Sequence, residues 1–374
     1  MVGKYGLFTA TVGFLVLAVG LDYYTFTSRE ILRLEACQGG RLLKGQVALT
    51  GLLYLALLPL AVVFFSTAGW SGNMLFWLLP IVILEHFNQE VFRLLIVLNN
   101  QIYASIALFL RQGSWAIVVV GFLITSEGSR QLYMVFAFWA SSGLVAAAFG
   151  YWKVKQSNLG GWDQPIDWGW IREGIKISIG FLIGTLAIKA IQTTDRYWLE
   201  ALGGHEMLAA YVLYFGVASA LLTFLDAGVF SYTYPKLIQY FHQNDDALAS
   251  SLIKRSLLQT MALCVVFAIA SWLILPYLLA WIDNPLYYDQ IGLYPWLLSA
   301  TILNALSMIP HYALYARGMN RHIIFSHIAA LVTFTCSVWL LSGAFSGMAV
   351  LYAVNASFIV VLVIKTATYF NSNS

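Results

Sequence analysis

Charged side chains occur inside segments that are otherwise apolar, and their spacing places them on shared helix faces. His86, Glu90 and Arg93 stand at i, i+4 and i+7, within an arc of about 60° on a helix, and Gln89 lies at its edge. An ionised side chain at bilayer depth costs roughly 2.5 to 3.5 kcal/mol on insertion scales. Each therefore needs a partner or a water-filled cavity, where it could bind a charged ligand.

A second segment repeats this geometry with Thr185, Lys189 and Gln192, and Arg196 extends the stripe by one turn. The acid nearest to Lys189 in sequence, Asp195, is six residues away and on another face of the helix. We therefore expect Lys189 to line a cavity. A salt bridge to another helix and snorkelling to the interface are the alternatives.

The other intramembrane charges have simpler interpretations. Glu90 and Arg93, three residues apart, are predicted to form an ion pair near a helix end. Arg111 has no acid close by in sequence and either faces the cavity or packs against protein. Its convergence with Arg93 and Lys189, each carried by a different helix, is a hypothesis.

Polar residues also surround a proline. Asn304, Ser307 and His311 stand at i, i+3 and i+7 around Pro310, where they either line a path at a kinked helix or bond to a neighbouring helix.

The sequence contains no nucleotide-binding, metalloprotease or serine-hydrolase motif. Cys37, Cys264 and Cys336 are far apart and support neither a disulfide framework nor a metal site. We therefore predict no catalytic residues, no metal and no cofactor, and transport becomes the leading class of function.

The elements that carry these residues are apolar runs. Of 374 residues, 60% are hydrophobic and 10% charged, against about 25% charged in soluble domains. Runs of about 20 residues are long enough to cross a bilayer. We predict an all-α polytopic membrane protein with about eleven transmembrane helices near residues 5–27, 47–65, 75–98, 102–124, 132–151, 174–198, 207–229, 257–282, 293–315, 322–341 and 347–368.

Lysine and arginine are distributed unevenly between alternate loops. One set of loops carries 13 and the other carries 3, and cytoplasmic loops retain these residues. The count, which includes Lys365, places the N-terminus outside and the C-terminus in the cytoplasm. The small net charge of +3 does not predict a nucleic-acid partner.

The two halves of the chain share an internal repeat. GLFTATVGFLVLAVGLDYY from Gly6 aligns without gaps on AYVLYFGVASALLTFLDAG from Ala210, with Leu-Asp at the same place in each. Inverted or parallel repeats are common in transporters. We predict a bundle of five spans over 1–160 and a bundle of six over 161–374, so that one helix is missing from a two-times-six architecture.

Two segments resemble polysaccharide flippases, the O-antigen and capsule translocases of the multidrug/oligosaccharidyl-lipid/polysaccharide exporter superfamily. They are TTDRYWLEALGGHEMLAAYVLYFGVASALLTF from Thr193, with AGVFSYTYPKL ending at Leu237, and the opening GKYGLFTATVGFLVLAVGLDYY. The resemblance covers nearly the whole chain and implies twelve helices, of which the first is absent here.

That resemblance implies a function in a bacterial inner membrane. The protein would move an undecaprenyl-pyrophosphate-linked oligosaccharide between leaflets by alternating access, with membrane lipid and the polysaccharide polymerase machinery as partners. The residues expected to bind this substrate are Arg93, Arg111, Lys189, Gln192, Glu90 and Asn304.

Three other functions are weighed against it. A cation-coupled drug antiporter of the same superfamily needs acidic groups in its cavity, and Glu90 is the strongest candidate. A membrane-embedded polysaccharide polymerase or ligase is disfavoured because the predicted outer loops are short. A structural scaffold gains little from the insertion cost of buried charges.

Overall fold

The computed structural model describes residues 2–33, 39–98, 100–125, 131–243 and 245–371, and these are helical with no strand. Nine stretches of the described chain are long and apolar enough to cross a membrane, judged by length and composition. The prediction of an all-α polytopic membrane fold is confirmed. The helices are α1 (Val2–Gly20), α2 (Tyr24–Arg33), α3 (Gly39–Thr67), α4 (Gly72–Val97), α5 (Gln101–Gln112), α6 (Ser114–Thr125), α7 (Leu132–Gln156), α8 (Trp168–Leu225), α9 (Ser231–His242), α10 (Asp246–Ile282), α11 (Pro285–Asp289), α12 (Leu293–Ala316), α13 (Asn320–Phe345) and α14 (Met348–Asn371).

The predicted eleven spans and the nine observed stretches are roughly consistent. Helix α4 matches the predicted span at 75–98 but is not one of the nine, and it carries Glu85, His86, Glu90 and Arg93. The predicted span at 207–229 and most of the one at 174–198 lie within a single observed stretch, Leu182–Phe241. Gly204 divides that stretch with a φ of 78° and a ψ of 177°, a conformation that glycine adopts readily because it has no Cβ.

Two breaks were not predicted. The span expected at 5–27 ends at Gly20, because Leu21 and Asp22 both have a φ near 50° and interrupt the helix. Left-handed conformations are uncommon for such residues. The short α2, which follows this break, is therefore a separate, amphipathic element. The second break is at Gly113, which separates α5 from α6 within the span expected at 102–124.

The order of elements agrees with the predicted internal repeat. In the first copy α1 stops before Leu21 and Asp22, and the short α2 and long α3 follow. In the second copy α8 ends at Leu225, a π-helical turn spans Asp226–Phe230, and the short α9 and long α10 follow. Each Leu-Asp pair thus stands at the end of a long helix, at a left-handed break in the first copy and at a π-helical turn in the second.

The described chain forms two compact units. Unit 1 comprises Phe8–Leu182, and unit 2 comprises Val2–Leu7 together with Ile183–Ser374. The sequence pattern places the change of domain at residue 160, in the loop before α8, whereas the contacts place it inside α8.

Unit 1 is organised around α4, which packs against α5 and α7. Phe8 of α1 stacks on Phe136 of α7 with ring centroids 4.0 Å apart. Helix α4 also contacts α2 and α3, though less extensively.

Unit 2 has a larger apolar core. Helices α12 and α13 both pack on α14, around fully buried rings that include Tyr211, Tyr214, Tyr294 and Phe334. The Tyr214 hydroxyl donates a hydrogen bond to the carbonyl of Tyr287 in α11, and the Tyr211 hydroxyl donates one to Asp195. These two buried tyrosines keep their polar tips satisfied, whereas the Tyr294 hydroxyl has no hydrogen-bond partner among the described residues.

Candidate functional site

Unit 1 contains a cavity of about 920 Å³. It is bounded by α2, α3, α4, the end of α7 and the loop that follows α7. Much of the wall is aliphatic or aromatic, so the cavity can accept an apolar chain. The polar and charged side chains on the wall are Tyr24, Thr27, Ser28, Gln46, Thr50, Tyr54, His86, Glu90, Arg93, Tyr151, Lys155, Asn158 and Trp162.

The loop after α7 is bound firmly to the start of α3. Lys44 donates hydrogen bonds to the carbonyls of Trp162 and Gln164 at 3.1 and 3.0 Å, and Arg41 pairs with Asp167 at 2.8 Å. A Cβ on Gly40 would stand 2.6 Å from the carbonyl of Gly160. This close approach requires glycine and fixes one end of the cavity.

One wall of the cavity is a chain of polar contacts between three helices. Glu90 accepts hydrogen bonds from Gln46 at 2.5 Å and from Arg93 at 2.9 Å. The Arg93 guanidinium lies 3.5 Å from the centre of the Tyr24 ring, a cation–π arrangement. The predicted ion pair between Glu90 and Arg93 is confirmed. Arg93 thus stands in the cavity with its charge matched by one carboxylate.

His86 lies one turn before Glu90 on the same face and is 3% exposed. Its Nδ1 is 2.8 Å from the Tyr54 hydroxyl. Its Nε2 is buried, has no hydrogen-bond partner among the described residues, and lies 3.9 Å from Glu90. The predicted stripe of His86, Glu90 and Arg93 therefore faces one cavity, as its spacing indicates.

Lys155 supplies an additional positive charge to the cavity wall. It is exposed and makes no hydrogen bond or ion pair within the described part of the chain. Lys153, two residues earlier on α7, is instead held over the Tyr103 ring at 3.8 Å and bonded to Gln156. Among the described residues of the wall, Arg93 and Lys155 oppose Glu90, which leaves one positive charge in excess when His86 is counted as neutral.

Arg111 does not line this cavity. Its Nε donates to Glu85 Oε2 at 2.7 Å, and the other oxygen of Glu85 accepts from the Trp139 indole at 2.7 Å. Arg111 and Glu85 are both buried. The pair joins α4, α5 and α7, which is a structural role, so the expected contact of Arg111 with substrate stays a prediction without support from its position. Glu85 was not among the predicted residues, because it is five residues before Glu90 and lies on another face of α4.

Three of the predicted site residues belong to unit 2. Lys189 is half-buried on α8, and its ammonium makes no hydrogen bond or ion pair with a described residue, although its carbonyl accepts a hydrogen bond from the Thr193 hydroxyl at 2.8 Å. The carbonyl of Gln192 accepts from Arg196 at 3.1 Å. Asp195, which the sequence placed on another face, accepts hydrogen bonds from the Tyr211 hydroxyl at 2.5 Å and from the Arg196 backbone N–H at 2.6 Å. Lys189 thus lacks a close acid, as expected, and its contact with substrate stays a prediction.

The polar residues around Pro310 have separate surroundings. Asn304 is half-buried, and its carbonyl accepts a hydrogen bond from the buried Ser307 hydroxyl. His311 Nδ1 lies 3.1 Å from the ammonium of Lys365 on α14. Lys365 is 2% exposed inside a helix, so counting it among the loop lysines was wrong.

The pairing of Glu90 with Arg93 was thus predictable from the sequence, but most residues of the cavity wall were not predicted. Gln46, Thr50 and Tyr54 all line it, and they stand at i, i+4 and i+8 on one face of α3. That spacing could have identified them. No group of three or more histidine, cysteine or acidic side chains arranged to hold a metal ion occurs among the described residues.

No protein-family model matches the sequence, and no curated protein matches it either. Several solved structures are similar. A multidrug resistance MATE family transporter of the MOP superfamily, in an inward-facing conformation, has a TM-score of 0.80 at 13% identity over 99% of this chain and 89% of that chain. An outward-facing conformation of such a transporter has a TM-score of 0.68 at 13% identity, over 99% and 87%.

A third similar structure is a MOP superfamily transporter from Pyrococcus furiosus, described as having a binding pocket of reverse polarity that suggests a different function. Its TM-score is 0.64 at 13% identity, over 100% of this chain and 88% of that chain. At these identities the similarity establishes the fold. The chain has the fold of MATE family transporters of the MOP superfamily, the superfamily to which the resembled flippases belong.

Proposed function

We propose that this protein is a membrane transporter that moves an anionic amphiphile, a lipid-linked oligosaccharide bearing a pyrophosphate, by alternating access. The observation that carries the proposal is the cavity of unit 1, which combines an apolar wall with an excess of positive charge at Arg93 and Lys155. The fold it shares with transporters recorded in inward-facing and outward-facing conformations supports the alternating-access part.

The chemistry of the cavity suits such a cargo. A pyrophosphate and a hydrated glycan cannot cross hydrocarbon unaided, whereas a prenyl chain can remain among apolar side chains and lipid. Arg93 offers a planar fork for phosphate oxygens and Lys155 a mobile point charge. We place the protein in the inner membrane of a bacterium, with its N-terminus outside. The polysaccharide polymerase is its proposed partner.

The direct test measures binding of undecaprenyl pyrophosphate to the purified full chain. Lys155→Gln is expected to weaken binding about three- to tenfold, because one phosphate contact worth about 1 kcal/mol is lost. Lys153→Gln removes an equal charge two residues away and outside the cavity, so it should leave the affinity within about twofold. Equal effects of the two variants would contradict the proposal.

A cation-coupled antiporter is the second candidate function, and one observation favours it: Glu90 places a carboxylate in the cavity, with a side chain 17% exposed. The similar MATE structures include multidrug resistance transporters. In that case Glu90 would exchange its Arg93 partner for a coupling ion and a cationic drug would be the cargo.

Glu90→Gln separates the two candidates. For an anionic cargo the variant frees Arg93 from its carboxylate, so pyrophosphate binding is expected to be retained or strengthened. For a cation-coupled antiporter the same variant abolishes ion-driven efflux of a cationic dye from proteoliposomes. Loss of pyrophosphate binding together with loss of dye efflux would favour the antiporter.

A further inference from the structure

The cavity of unit 1 is open on one side, at α3 and α4. Val47 of α3 and Ile83 and Phe87 of α4 line the cavity, yet they are 66%, 39% and 38% exposed. Each of these side chains is apolar. Helix α3 has the length and composition of a membrane span, and it carries further exposed leucines outside the cavity, such as Leu52 and Leu55. The opening therefore suits hydrocarbon rather than water.

Two hydrogen bonds join α3 to α4 and give the cavity its direction. Gln46 donates to Glu90 at 2.5 Å, and the Tyr54 hydroxyl lies 2.8 Å from His86 Nδ1. The order of these residues is opposite along the two helices. The start of α3 therefore lies beside the end of α4.

The positive charges stand at one end of the cavity. Arg93 is four residues before the end of α4, and Lys155 is one residue before the end of α7. The lining residues of α3 run inward from Leu43 to Tyr54, which is about 16 Å of helix at 1.5 Å per residue. A ligand with an anionic head and an apolar chain would thus lie along α3, with its head near the helix ends.

The volume of the cavity is smaller than that of the proposed cargo lipid. At about 30 Å³ for each water-sized group, the cavity of about 920 Å³ accommodates about 30 heavy atoms. A pyrophosphate takes about nine of them, which leaves room for about 20 carbons, less than half of an undecaprenyl chain. The remaining carbons must leave the cavity, and the apolar opening at Val47 and Phe87 is the route that the wall provides.

The second copy of the internal repeat shows that the fold does not require this cavity. There the short α9 and the long α10 pack with α12 around buried apolar side chains that include Leu237, Ile253 and Ile309. In the first copy α2, α3 and α4 follow in the same order and enclose the cavity. The cavity is thus specific to the side chains of unit 1, as expected of a binding site.

We propose that the isoprene units next to the pyrophosphate bind in this cavity, and that the rest of the chain leaves past Val47 and Phe87 into the bilayer. This binding mode rests on the proposed function, which places the head at Arg93 and Lys155. Gly51 marks the part that binds the chain. It lines the cavity one turn after Val47, and a Cβ there would meet nothing within 4 Å. The isoprenoid would fill the open space beside Gly51.

The test compares the binding of geranylgeranyl pyrophosphate and of inorganic pyrophosphate to the purified full chain. Gly51→Leu is expected to weaken binding of the isoprenoid about tenfold or more, because the leucine fills the space of the chain. It should leave the affinity for inorganic pyrophosphate within about twofold. Gly121→Leu is the control and should change neither affinity. Gly121 lies on α6 outside the cavity, and a Cβ there also meets nothing within 4 Å.

Equal affinities for the isoprenoid in Gly51→Leu and Gly121→Leu would overturn this binding mode, as would a chain that adds nothing to the affinity of pyrophosphate. Both results leave the proposed function standing, whereas failure of the unsubstituted protein to bind either ligand contradicts the proposed function as well. Should Gly51→Leu fail to fold, photolabelling of the unsubstituted protein by an isoprenoid pyrophosphate with a diazirine in its chain decides the question. Labels within residues 43–54 or 83–94 are expected, and labels confined to other segments would refute the chain site.

Discussion

Arg111 Nε donates a hydrogen bond to Glu85 Oε2 at 2.7 Å, although the two residues are 26 positions apart and stand on different helices. The side chains of both are 10% exposed. The same carboxylate binds the Trp139 indole. This arrangement gives two intramembrane charges a structural role beside the helix break at Gly113, while the cavity charges of the same bundle remain available to a ligand.

Arg111→Gln is expected to destabilise the protein strongly. It leaves the Glu85 carboxylate buried without its cation, and breaking a buried pair in this way costs about 3 to 5 kcal/mol. The double variant Glu85→Gln with Arg111→Gln removes both charges and should recover part of the loss. Thermal unfolding in detergent measures both. Arg41→Gln is the control, since the Arg41–Asp167 pair is 34% and 41% exposed and should contribute at most about 1 kcal/mol.

Arg93→Lys is expected to weaken pyrophosphate binding about tenfold even though it keeps the charge. Lysine loses both the planar fork and the stacking on Tyr24 that holds the guanidinium at the cavity wall. Arg93→Gln should weaken binding further, and the salt dependence of the affinity should become shallower. Isothermal titration at two salt concentrations provides the measurement. Unchanged affinity in Arg93→Gln would remove this residue from the proposed site.

Gly184→Ala and Gly180→Ala form a matched pair on α8. A Cβ on Gly184 would stand 3.1 Å from the Ile324 side chain and 3.3 Å from its Cα on α13, whereas a Cβ on Gly180 would meet nothing within 4 Å. Overpacking typically costs about 1 to 3 kcal/mol. Gly180→Ala should instead be neutral or gain up to about 1 kcal/mol of helix propensity. Unfolding temperatures that fall equally in both variants would contradict this assignment of close packing to Gly184 alone.

Lys189→Ala tests the predicted role of the stripe on α8. Because Lys189 has no acid partner among the described residues, removing it should not lower the unfolding temperature, and relieving its insertion cost should raise it slightly. If the residue meets the cargo, surface polysaccharide should fall in cells that depend on this protein while its level in the membrane stays normal. Normal polysaccharide at normal protein level would exclude Lys189 from the substrate path.

Some elements of the site were predictable because they depend on local periodicity. The i, i+4 and i+7 spacing of His86, Glu90 and Arg93 places them on one face of any helix, and the three do share one cavity. The pairing of Glu90 with Arg93 is equally local. The partner of Glu90 on α3, Gln46, is 44 residues away, and nothing in the spacing of either helix indicates that they meet.

Other elements needed the packed structure. Lys365 was counted with the loop lysines although it lies near the end of the span predicted at 347–368, and its burial depends on how α12, α13 and α14 pack. The break at Leu21 and Asp22 also lies within the single span predicted at 5–27, where hydropathy alone did not indicate a helix end.

The amino-acid sequence by itself determined that the chain is a bundle of membrane-length helices with charged stripes, because hydropathy and helical period are properties of residues close together in the chain. Only the tertiary structure decided which charges are neutralised and which remain open. That outcome depends on contacts between helices far apart in sequence, such as the one between Arg111 and Glu85.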